Sequence, residues 1–201
     1  MLKLYDFLPS GNGYKVRLLL TQLRIDFQRI EVDILNGGTH TPEYLAKNPS
    51  GRIPLLELSP IERLAESSAI LFYLAEGTPL LPKARWQRAK VLEWMFFEQY
   101  NHEPNIATAR FWLKFLPMTD ERRAALEQKR KLGYAALEVM DRHLSTHAFF
   151  VADCYTIADI ALYAYTHVAH EGGFDLAPFA AVRSWLDRVR AEPGHIRITD
   201  G

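Results

Sequence analysis

A serine and an asparagine lie in a glycine-containing turn between a strand-like run and a helical run. In "LPSGNGYKVRLLL", residues 8–20, Ser10 and Asn12 stand where the first predicted helix begins. The first N–H groups of a helix have no partner within the helix, and the helix dipole is positive at that end. A hydroxyl or amide at this place can cap the helix, or can help its N–H groups to bind an anion. The stretch alone leaves both interpretations open.

Two further segments in the first third of the chain offer groups to a small ligand. Ile53 precedes Pro54 at the start of a strand-like run, and a cis bond there would leave the Ile53 N–H and C=O able to pair with an extended peptide. The alternative is an ordinary edge-strand proline. In "AESSAI", Ser67 is predicted to cap a helix beside Glu66, which provides donors for a carboxylate and a carboxylate for an ammonium. Taken alone, this pair is also explained by a cap and a surface charge.

The opening turn also imitates a dinucleotide-binding site. Gly11-Asn12-Gly13 matches the start of G-x-G-x-x-G, and Glu31 and Asp33 follow about twenty residues later, where a ribose-binding carboxylate would be needed. The third glycine position is Val16, however, and the following strands are predicted to form a hairpin. We therefore favour a different fold. No phosphate-binding P-loop sequence is present.

Metal sites are disfavoured by the spacing of the histidines. The "HEPNI" at His102 has Ile106 where a helical zinc protease needs its second histidine. His167, His170 and Glu171 share helical spacing, but three such residues near a "GG" turn are more typical of a solvated helix end. We predict no metal.

Composition limits the classes of partner. Lysine plus arginine equals aspartate plus glutamate at 24 each, so no excess of charge favours nucleic acid or an anionic membrane. The apolar runs are shorter than the roughly 18 to 20 residues that a membrane-spanning helix needs. Cys154 is the single cysteine, and the first residues lack the apolar stretch of a secretion signal. We expect a cytoplasmic protein without a disulfide.

The first third of the chain alternates between strand and helix patterns. "LKLYDF" is strand-like, residues 16–23 carry the apolar stripe of a helix, and residues 30–34 alternate as in a strand. "IPLLEL" and "ERL" flank a Ser-Pro turn as a predicted hairpin, and the helix of "SSAILFYLAE" ends near Gly77. These patterns predict an α/β domain over residues 1–78.

Helical periods dominate the rest of the chain and predict an all-helical domain over residues 85–201. The predicted helices cover residues 86–102 with a continuation to 115, then 119–146, and two more that end near 192. In "YTIADIALYAY", Thr156 and Asp159 have the spacing of a capping box. That pair therefore predicts a helix start and not a catalytic pair.

Together these segments resemble glutathione S-transferases of the bacterial, theta-like or nu-like cytosolic branch. The similarity covers nearly the whole chain, in the order "SGNGYKVRLLL", "TPEYLAKNPSGRIPLLEL", "ESSAILFYLAE", "WMFFEQYNHEPNIATARFW", "YTIADIALYAY" and "SWLDRVRAEPG". The resemblance implies a thioredoxin-like N-terminal domain, a C-terminal all-helical domain and a homodimer. It also implies glutathione as co-substrate, a small hydrophobic electrophile and a role in detoxification.

The resemblance assigns the reacting end of glutathione to two segments. Ser10 becomes the hydroxyl that donates to the glutathione sulfur, with Asn12 as helper or substitute. Ile53, before a cis Pro54, would pair through its backbone with the cysteinyl part of glutathione.

The resemblance assigns the two other ends of glutathione as well. Glu66 and Ser67 would hold the γ-glutamyl ammonium and carboxylate. Arg52 and His40 lie where side chains reach the glycyl end. The residues implied at the electrophile pocket of the helical domain, which also approaches the dimer partner, are Tyr100, Glu103, Arg110, Tyr163 and His167.

One departure from the family pattern bears on the reaction. Many bacterial relatives carry cysteine or serine where this chain has Gly13, and another branch has a cysteine near position 10. With Cys154 expected outside the chemistry, the leading hypothesis is conjugation of activated glutathione to an electrophile. The alternatives are disulfide reduction by glutathione without a protein cysteine, and a non-catalytic binding module of the same fold.

Overall fold

The computed structural model describes residues 1–200, which fall into two compact units. One unit comprises Met1–Glu76 together with the C-terminal segment from Pro193, and the other comprises Gly77–Glu192. The sequence had placed that C-terminal segment in the helical domain. Hydrogen bonds explain the difference, because the Tyr14 hydroxyl donates to the carbonyl of Ile196 at 2.7 Å. Such contacts to carbonyl groups have no periodic signature in a sequence.

The first unit is a mixed four-stranded sheet with helices. Its elements are β1 (Leu2–Asp6), α1 (Gly11–Gln22), β2 (Phe27–Glu31), a 3-10 turn (Gly38–His40), α2 (Pro42–Leu45), β3 (Leu55–Glu57), β4 (Arg63–Ala65) and α3 (Ser67–Leu74). The strand order is β2-β1-β3-β4, with β1 parallel to β2 and the other two pairings antiparallel. This confirms the predicted thioredoxin-like order and hairpin. An antiparallel β3 also excludes the parallel extension of a dinucleotide-binding sheet.

One strand boundary was wrong. The alternation over residues 30–34 predicted a strand, whereas β2 covers Phe27–Glu31. Val32 adds one more hydrogen bond, from its N–H to the Asp6 carbonyl at 2.7 Å. The chain then turns, because the Asp33 carboxylate accepts from the N–H groups of Leu35 and Asn36. The apolar alternation therefore continues past the end of the strand into an aspartate turn.

The core of this unit forms where α1 and α3 supply apolar side chains to the sheet. It contains Leu4, Val16, Leu20, Leu56 and Ile70, each fully buried. Val16 and Leu20 stand one helical turn apart and pack against the sheet. The other sides of α1 are covered as well, since every residue from Gly13 to Leu20 is buried. The packing fixes α1 as a rigid support for the turn that precedes it.

The second unit is all helical among the described residues. Its elements are α4 (Arg85–Phe97), a π-helical turn (Glu98–His102), α5 (Glu103–Phe115), α6 (Asp120–Leu144), α7 (Ile157–Thr166), a 3-10 turn (Ala169–Gly172) and α8 (Ala180–Arg190). The predicted continuation past Pro104 is confirmed. The π-helical turn ends two residues before this proline, whose ring and missing N–H would interrupt a regular α-helical ladder. Within residues 1–200, no helix is both long and apolar enough to cross a membrane.

The capping box at the start of α7 is confirmed and fully buried. One oxygen of the Asp159 carboxylate accepts from the Thr156 N–H at 2.9 Å and from its hydroxyl at 3.1 Å. The other oxygen accepts from the Trp185 indole N–H at 3.0 Å and from the Phe150 N–H at 3.2 Å. Asp159 therefore joins the start of α7 to α8 and to the chain before α7. Its role is structural.

Burial of Asp159 makes the stability of this unit depend on pH. Burial raises the pKa of the Asp159 carboxyl from 3.8 to about 6, against the hydrogen bonds that favour the charged form. Its stabilising contribution is thus fully present below about pH 4 and is lost as the pH rises to about 6. Relative to Asp159→Asn, which cannot titrate, the wild type should lose up to about 3 kcal/mol across this range.

Urea unfolding of both proteins at several pH values measures this loss. Asp159→Asn also replaces one carboxylate oxygen by an NH2 group, so a hydrogen-bond acceptor is lost. That loss changes the stability of the variant by an amount that does not depend on pH. A constant difference between the two proteins from pH 4 to pH 7 would contradict the raised pKa.

Candidate active site

Three segments meet at one end of the sheet. Tyr5 of β1 pairs with Leu55 of β3, which pairs with Ala65 of β4. β1 leads from this end to the Ser10 turn, β3 starts here directly after Pro54, and β4 leads into Glu66 and α3. The topology therefore brings together the three segments that the sequence singled out.

Ser10 is the N-cap of α1. Its hydroxyl oxygen accepts from the Gly13 N–H at 3.3 Å, and its backbone is extended. The capping interpretation is confirmed. A hydroxyl that accepts one hydrogen bond still has its own hydrogen to donate. The cap therefore fixes the position of the oxygen without using the donor that a ligand atom would need.

A buried ion pair holds the turn that contains Ser10. Arg17 and Asp6 have fully buried side chains, with the guanidinium Nε 2.9 Å from the carboxylate. The same guanidinium donates to the carbonyl of Leu8 at 2.6 Å, two residues before Ser10. Burial raises the pKa of the Asp6 carboxyl to about 6, although the charge of Arg17 acts in the opposite direction. The sequence analysis missed both residues, because charged side chains on a helix are normally solvated.

Asp6 also explains the glycine at position 13. A Cβ atom at Gly13 would lie 1.5 Å from the Asp6 Oδ1, which is far inside any allowed contact. The other oxygen of this carboxylate is held by Arg17. A cysteine or serine at position 13 is therefore incompatible with the Asp6 and Arg17 pair in its present place. This position of the fold can therefore hold either a side chain at residue 13 or the Asp6–Arg17 pair, but not both.

Asn12 connects the first turn of α1 to the start of α3. Its side-chain oxygen accepts from the Ser67 hydroxyl at 3.3 Å and from the ammonium of Lys15 at 2.8 Å. Asn12 and Ser67 are thus brought into contact, as expected for residues of one site. Lys15 is fully buried and was missed. The only signal for it in the sequence is its position one helical turn after Asn12.

The Ile53–Pro54 bond is cis, as the family resemblance implied. Among residues 1–200, no hydrogen bond is formed by the backbone N–H or C=O of Ile53. The preceding carbonyl, of Arg52, accepts from the Tyr44 hydroxyl at 2.7 Å and from the Asn48 side chain at 2.8 Å. These bonds hold the segment in place while leaving the Ile53 peptide groups able to pair with an extended ligand.

Glu66 and Ser67 stand at the start of α3. Glu66 has φ +66° and ψ +112°, a sparsely populated conformation for a residue with a side chain. Such strain concentrates at binding sites. The Glu66 side chain is exposed, whereas Ser67 is only 5% exposed and contributes one of the first N–H groups of the helix. The predicted helix start is confirmed, but the prediction that Ser67 caps it was wrong: Glu66 stands at the cap position without a side-chain capping bond, and Ser67 is the first helical residue, whose hydroxyl donates to Asn12 instead. The helix start presents a carboxylate beside a set of N–H donors.

The two residues predicted at the glycyl end of glutathione are both exposed. His40 ends the 3-10 turn, and Arg52 immediately precedes Ile53. Gly51, which has φ +62°, approaches the His40 ring, since a Cβ there would lie 3.0 Å from ring atoms. The His40 ring therefore lies against the loop that leads to the cis proline.

The five residues predicted at the electrophile pocket differ widely in their surroundings. Tyr163 is buried and stacks on the His167 ring with a centroid distance of 4.6 Å. Arg110 is also buried, and it pairs with Glu171 at 2.6 Å. In contrast, Tyr100 is 84% exposed on the π-helical turn. Glu103, at the start of α5, is half-buried.

His167 and His170, which the sequence analysis considered as metal ligands, do not belong to a metal-binding cluster. Across the described part of the chain, no three His, Cys, Asp or Glu side chains lie close enough together to hold a metal ion. Glu171 is engaged by Lys114 and Arg110 instead, and these cations hold the pKa of its carboxyl below the usual value although burial opposes them.

The sheet unit and the helical unit match two family models. The model described as glutathione S-transferase, N-terminal domain, matches residues 1–76, and the C-terminal domain model of the same family matches residues 102–193. The chain belongs to the glutathione S-transferase family. The fold and the resemblance drawn from the sequence are thereby confirmed.

Individual relatives support the same assignment. A crystal structure of a possible glutathione S-transferase from Rhodopseudomonas palustris is 53% identical, with a TM-score of 0.97, and the match covers 100% of this chain and 91% of that one. The disulfide-bond oxidoreductase YfcG of Escherichia coli is 32% identical over 96% of this chain and 92% of its own.

A third relative was solved with glutathione. This glutathione transferase from Burkholderia graminis, with two glutathione molecules bound per subunit, is 26% identical. Its TM-score is 0.84, and the match covers 96% of this chain and 85% of that one.

Proposed function

We propose that the protein binds glutathione, activates it as a thiolate and conjugates it to a hydrophobic electrophile. The observation that carries this proposal is the Ser10 hydroxyl, held at the N-terminus of α1 by its bond to the Gly13 N–H. The cis Ile53–Pro54 bond and the Glu66 turn belong to the same end of the sheet. Family membership and the glutathione-bound relative support the choice of ligand.

The energy needed for activation matches what this site offers. A free thiol has a pKa near about 8.5, so ionising it near neutral pH needs a shift of roughly 1.5 to 2 units, or about 2 to 3 kcal/mol. A hydrogen bond to a charged group contributes about 1.5 to 3 kcal/mol. The helix N-terminus adds about 0.3 to 1 kcal/mol for a nearby anion. Ser10 and α1 are therefore sufficient without a metal or a general base.

The three segments would also bind the other parts of the glutathione molecule. The backbone of Ile53 would pair with the cysteinyl part in the manner of an added strand. The N–H groups that open α3 at Ser67 would hold the γ-glutamyl carboxylate, and the exposed Glu66 would hold the ammonium. Arg52 and His40 would reach the glycyl carboxylate. The electrophile would contact residues of the helical unit, where Tyr100 is exposed and Glu103 and His167 are half-buried, whereas the buried Tyr163 would act only by supporting the His167 ring.

We also propose that the protein is a cytoplasmic homodimer. Trp86, Phe96 and Tyr100 are 75%, 67% and 84% exposed and lie along α4 and the turn after it. Large apolar side chains grouped on one face mark an interaction surface, here for a second copy of the chain. Light scattering of the wild type and of Trp86→Glu tests the dimer. A monomeric wild type would contradict it.

Disulfide reduction is the second candidate, and two observations favour it. One relative is a disulfide-bond oxidoreductase, and another binds two glutathione molecules per subunit. In such a reaction one glutathione thiolate attacks the disulfide and releases one thiol. A second glutathione then attacks the mixed disulfide, which releases the other thiol and oxidised glutathione. No protein cysteine is needed, in agreement with Gly13 and with the place of the single cysteine, Cys154, in the helical unit and not in the sheet unit.

The two reactions are separated by comparing rates with glutathione on an aromatic halide and on a small mixed disulfide. The proposal predicts the higher kcat/KM on the halide. A higher kcat/KM on the disulfide would favour reductase activity. If both rates equalled the uncatalysed ones while glutathione still bound, the protein would be a binding module and the proposal would be wrong.

A further inference from the structure

Lys15 is a buried cation that the proposed chemistry has not used. Its side chain is fully buried in the first turns of α1, and its ammonium lies 2.8 Å from the Asn12 Oδ1. Lysine is almost never fully buried unless its charge is paired or hydrogen bonded. Burying an ammonium has a cost in desolvation, which hydrogen bonds such as the one to Asn12 help to offset. The same bond also orients the Asn12 amide.

The ammonium decides which way the Asn12 amide faces. Lysine has only donors, so the side of Asn12 that meets it must be the carbonyl oxygen. The Ser67 hydroxyl also lies at 3.3 Å from that oxygen. Two donors therefore converge on one carbonyl, which has two lone pairs to offer. The opposite end of the amide, its NH2 group, is consequently turned away from Lys15 and Ser67.

This orientation suits a negatively charged sulfur. Asn12 follows Ser10 by two residues in the same first turn of α1. At its NH2 end the amide can only donate, and a thiolate can only accept. Were the amide reversed, its oxygen would repel the thiolate and favour the neutral thiol.

We propose that Lys15 is a positioning residue that locks the Asn12 amide so that its NH2 group donates to the glutathione sulfur alongside Ser10. The inference rests on the proposed function. It gives Ser10 and Asn12 simultaneous roles, and it places Ser67 in the same network by linking α3 to the amide oxygen. Lys15 itself does not touch the sulfur. Its effect passes through Asn12.

A double-mutant cycle on the ionisation of bound glutathione tests the proposal. The variants are Lys15→Met, which keeps a chain of similar shape without the ammonium, Asn12→Ala, and the two combined. Thiolate absorbance followed against pH gives the pKa of the bound thiol in each. Lys15→Met alone should raise this pKa by about half a unit and lower kcat/KM about threefold, as expected for the loss of one oriented hydrogen bond that acts beside Ser10. In the Asn12→Ala background, the same substitution should change the pKa by less than a third of that amount.

Full additivity of the two single effects would overturn the inference, because Lys15 would then act through its charge alone. An unchanged thiol pKa in Lys15→Met would overturn it too. Circular dichroism establishes that each variant is folded, and Lys15→Gln replaces Lys15→Met in the cycle if the latter does not fold. Failure of the proposed function is a different result, since the wild type itself would then show no lowered thiol pKa.

Discussion

Ser10→Ala should lower the turnover of glutathione conjugation by about 10- to 150-fold and leave the affinity for glutathione nearly unchanged. A hydrogen bond to a charged group contributes about 1.5 to 3 kcal/mol, and each 1.4 kcal/mol of barrier is about a factor of ten in rate. In the proposed complex the affinity would come mainly from the segments at Ile53 and Ser67, which the substitution does not touch. Steady-state kinetics with an aromatic halide, together with calorimetric binding of glutathione, gives both quantities.

Two controls separate the donor role of Ser10 from its capping role. Loss of the cap to the Gly13 N–H should reduce stability by about 1 kcal/mol, so activity is compared where both proteins remain folded. Ser10→Thr keeps a hydroxyl and should recover much of the rate. Ser184→Ala removes an exposed hydroxyl of α8 and should have wild-type kinetics. Unchanged turnover in Ser10→Ala would assign thiol activation to Asn12.

Arg17→Met should reduce the stability of the sheet unit by about 3 to 5 kcal/mol, the usual cost of leaving one partner of a buried ion pair. The substitution leaves the Asp6 carboxylate without its cation, since the guanidinium is 2.9 Å away and both side chains are fully buried. It also removes donors to the carbonyls of Leu8, Ile198 and Asp200. The C-terminal segment and the Ser10 turn should therefore loosen together. Urea unfolding and hydrogen exchange of α1 measure the two effects.

Arg190→Met is the matched control for Arg17→Met. Arg190 pairs with Asp187 at 2.9 Å in the same chemical combination, but both side chains are largely exposed. Exposed pairs contribute about 0 to 1 kcal/mol, so this variant should be close to the wild type. Equal losses in the two arginine variants would show that burial does not determine the contribution of the Asp6 pair.

The sequence predicted those features that have a local signature. The hairpin follows from apolar runs around Ser59-Pro60, the α7 start follows from the spacing of Thr156 and Asp159, and both are confirmed. The cis bond before Pro54 was expected from the family resemblance and is also confirmed. Each depends on residues that are near in sequence, or on a motif with a fixed order.

The features that were missed depend on contacts between distant residues. Lys15 and Arg17 look like the solvated face of α1, because nothing in "YKVRLLL" shows what lies opposite them. Arg17 is buried by Asp6 and by the C-terminal segment, where it donates to the backbone carbonyls of Ile198 and Asp200. Every residue has such a carbonyl, so no residue type in the sequence marks this contact. The same argument applies to Gly13, where only the nearby Asp6 carboxylate explains why no side chain fits.

The most direct test of the central claim is the pKa of the glutathione thiol when bound to the protein. Thiolate absorbance is titrated against pH for the wild type and for Ser10→Ala, both saturated with glutathione. The account predicts a bound pKa about 1.5 to 2 units below the value of about 8.5 for a free thiol, with most of that shift lost in Ser10→Ala. Glutathione that binds to the wild type with an unshifted thiol pKa would contradict it, and Ser10 would then be a helix cap only.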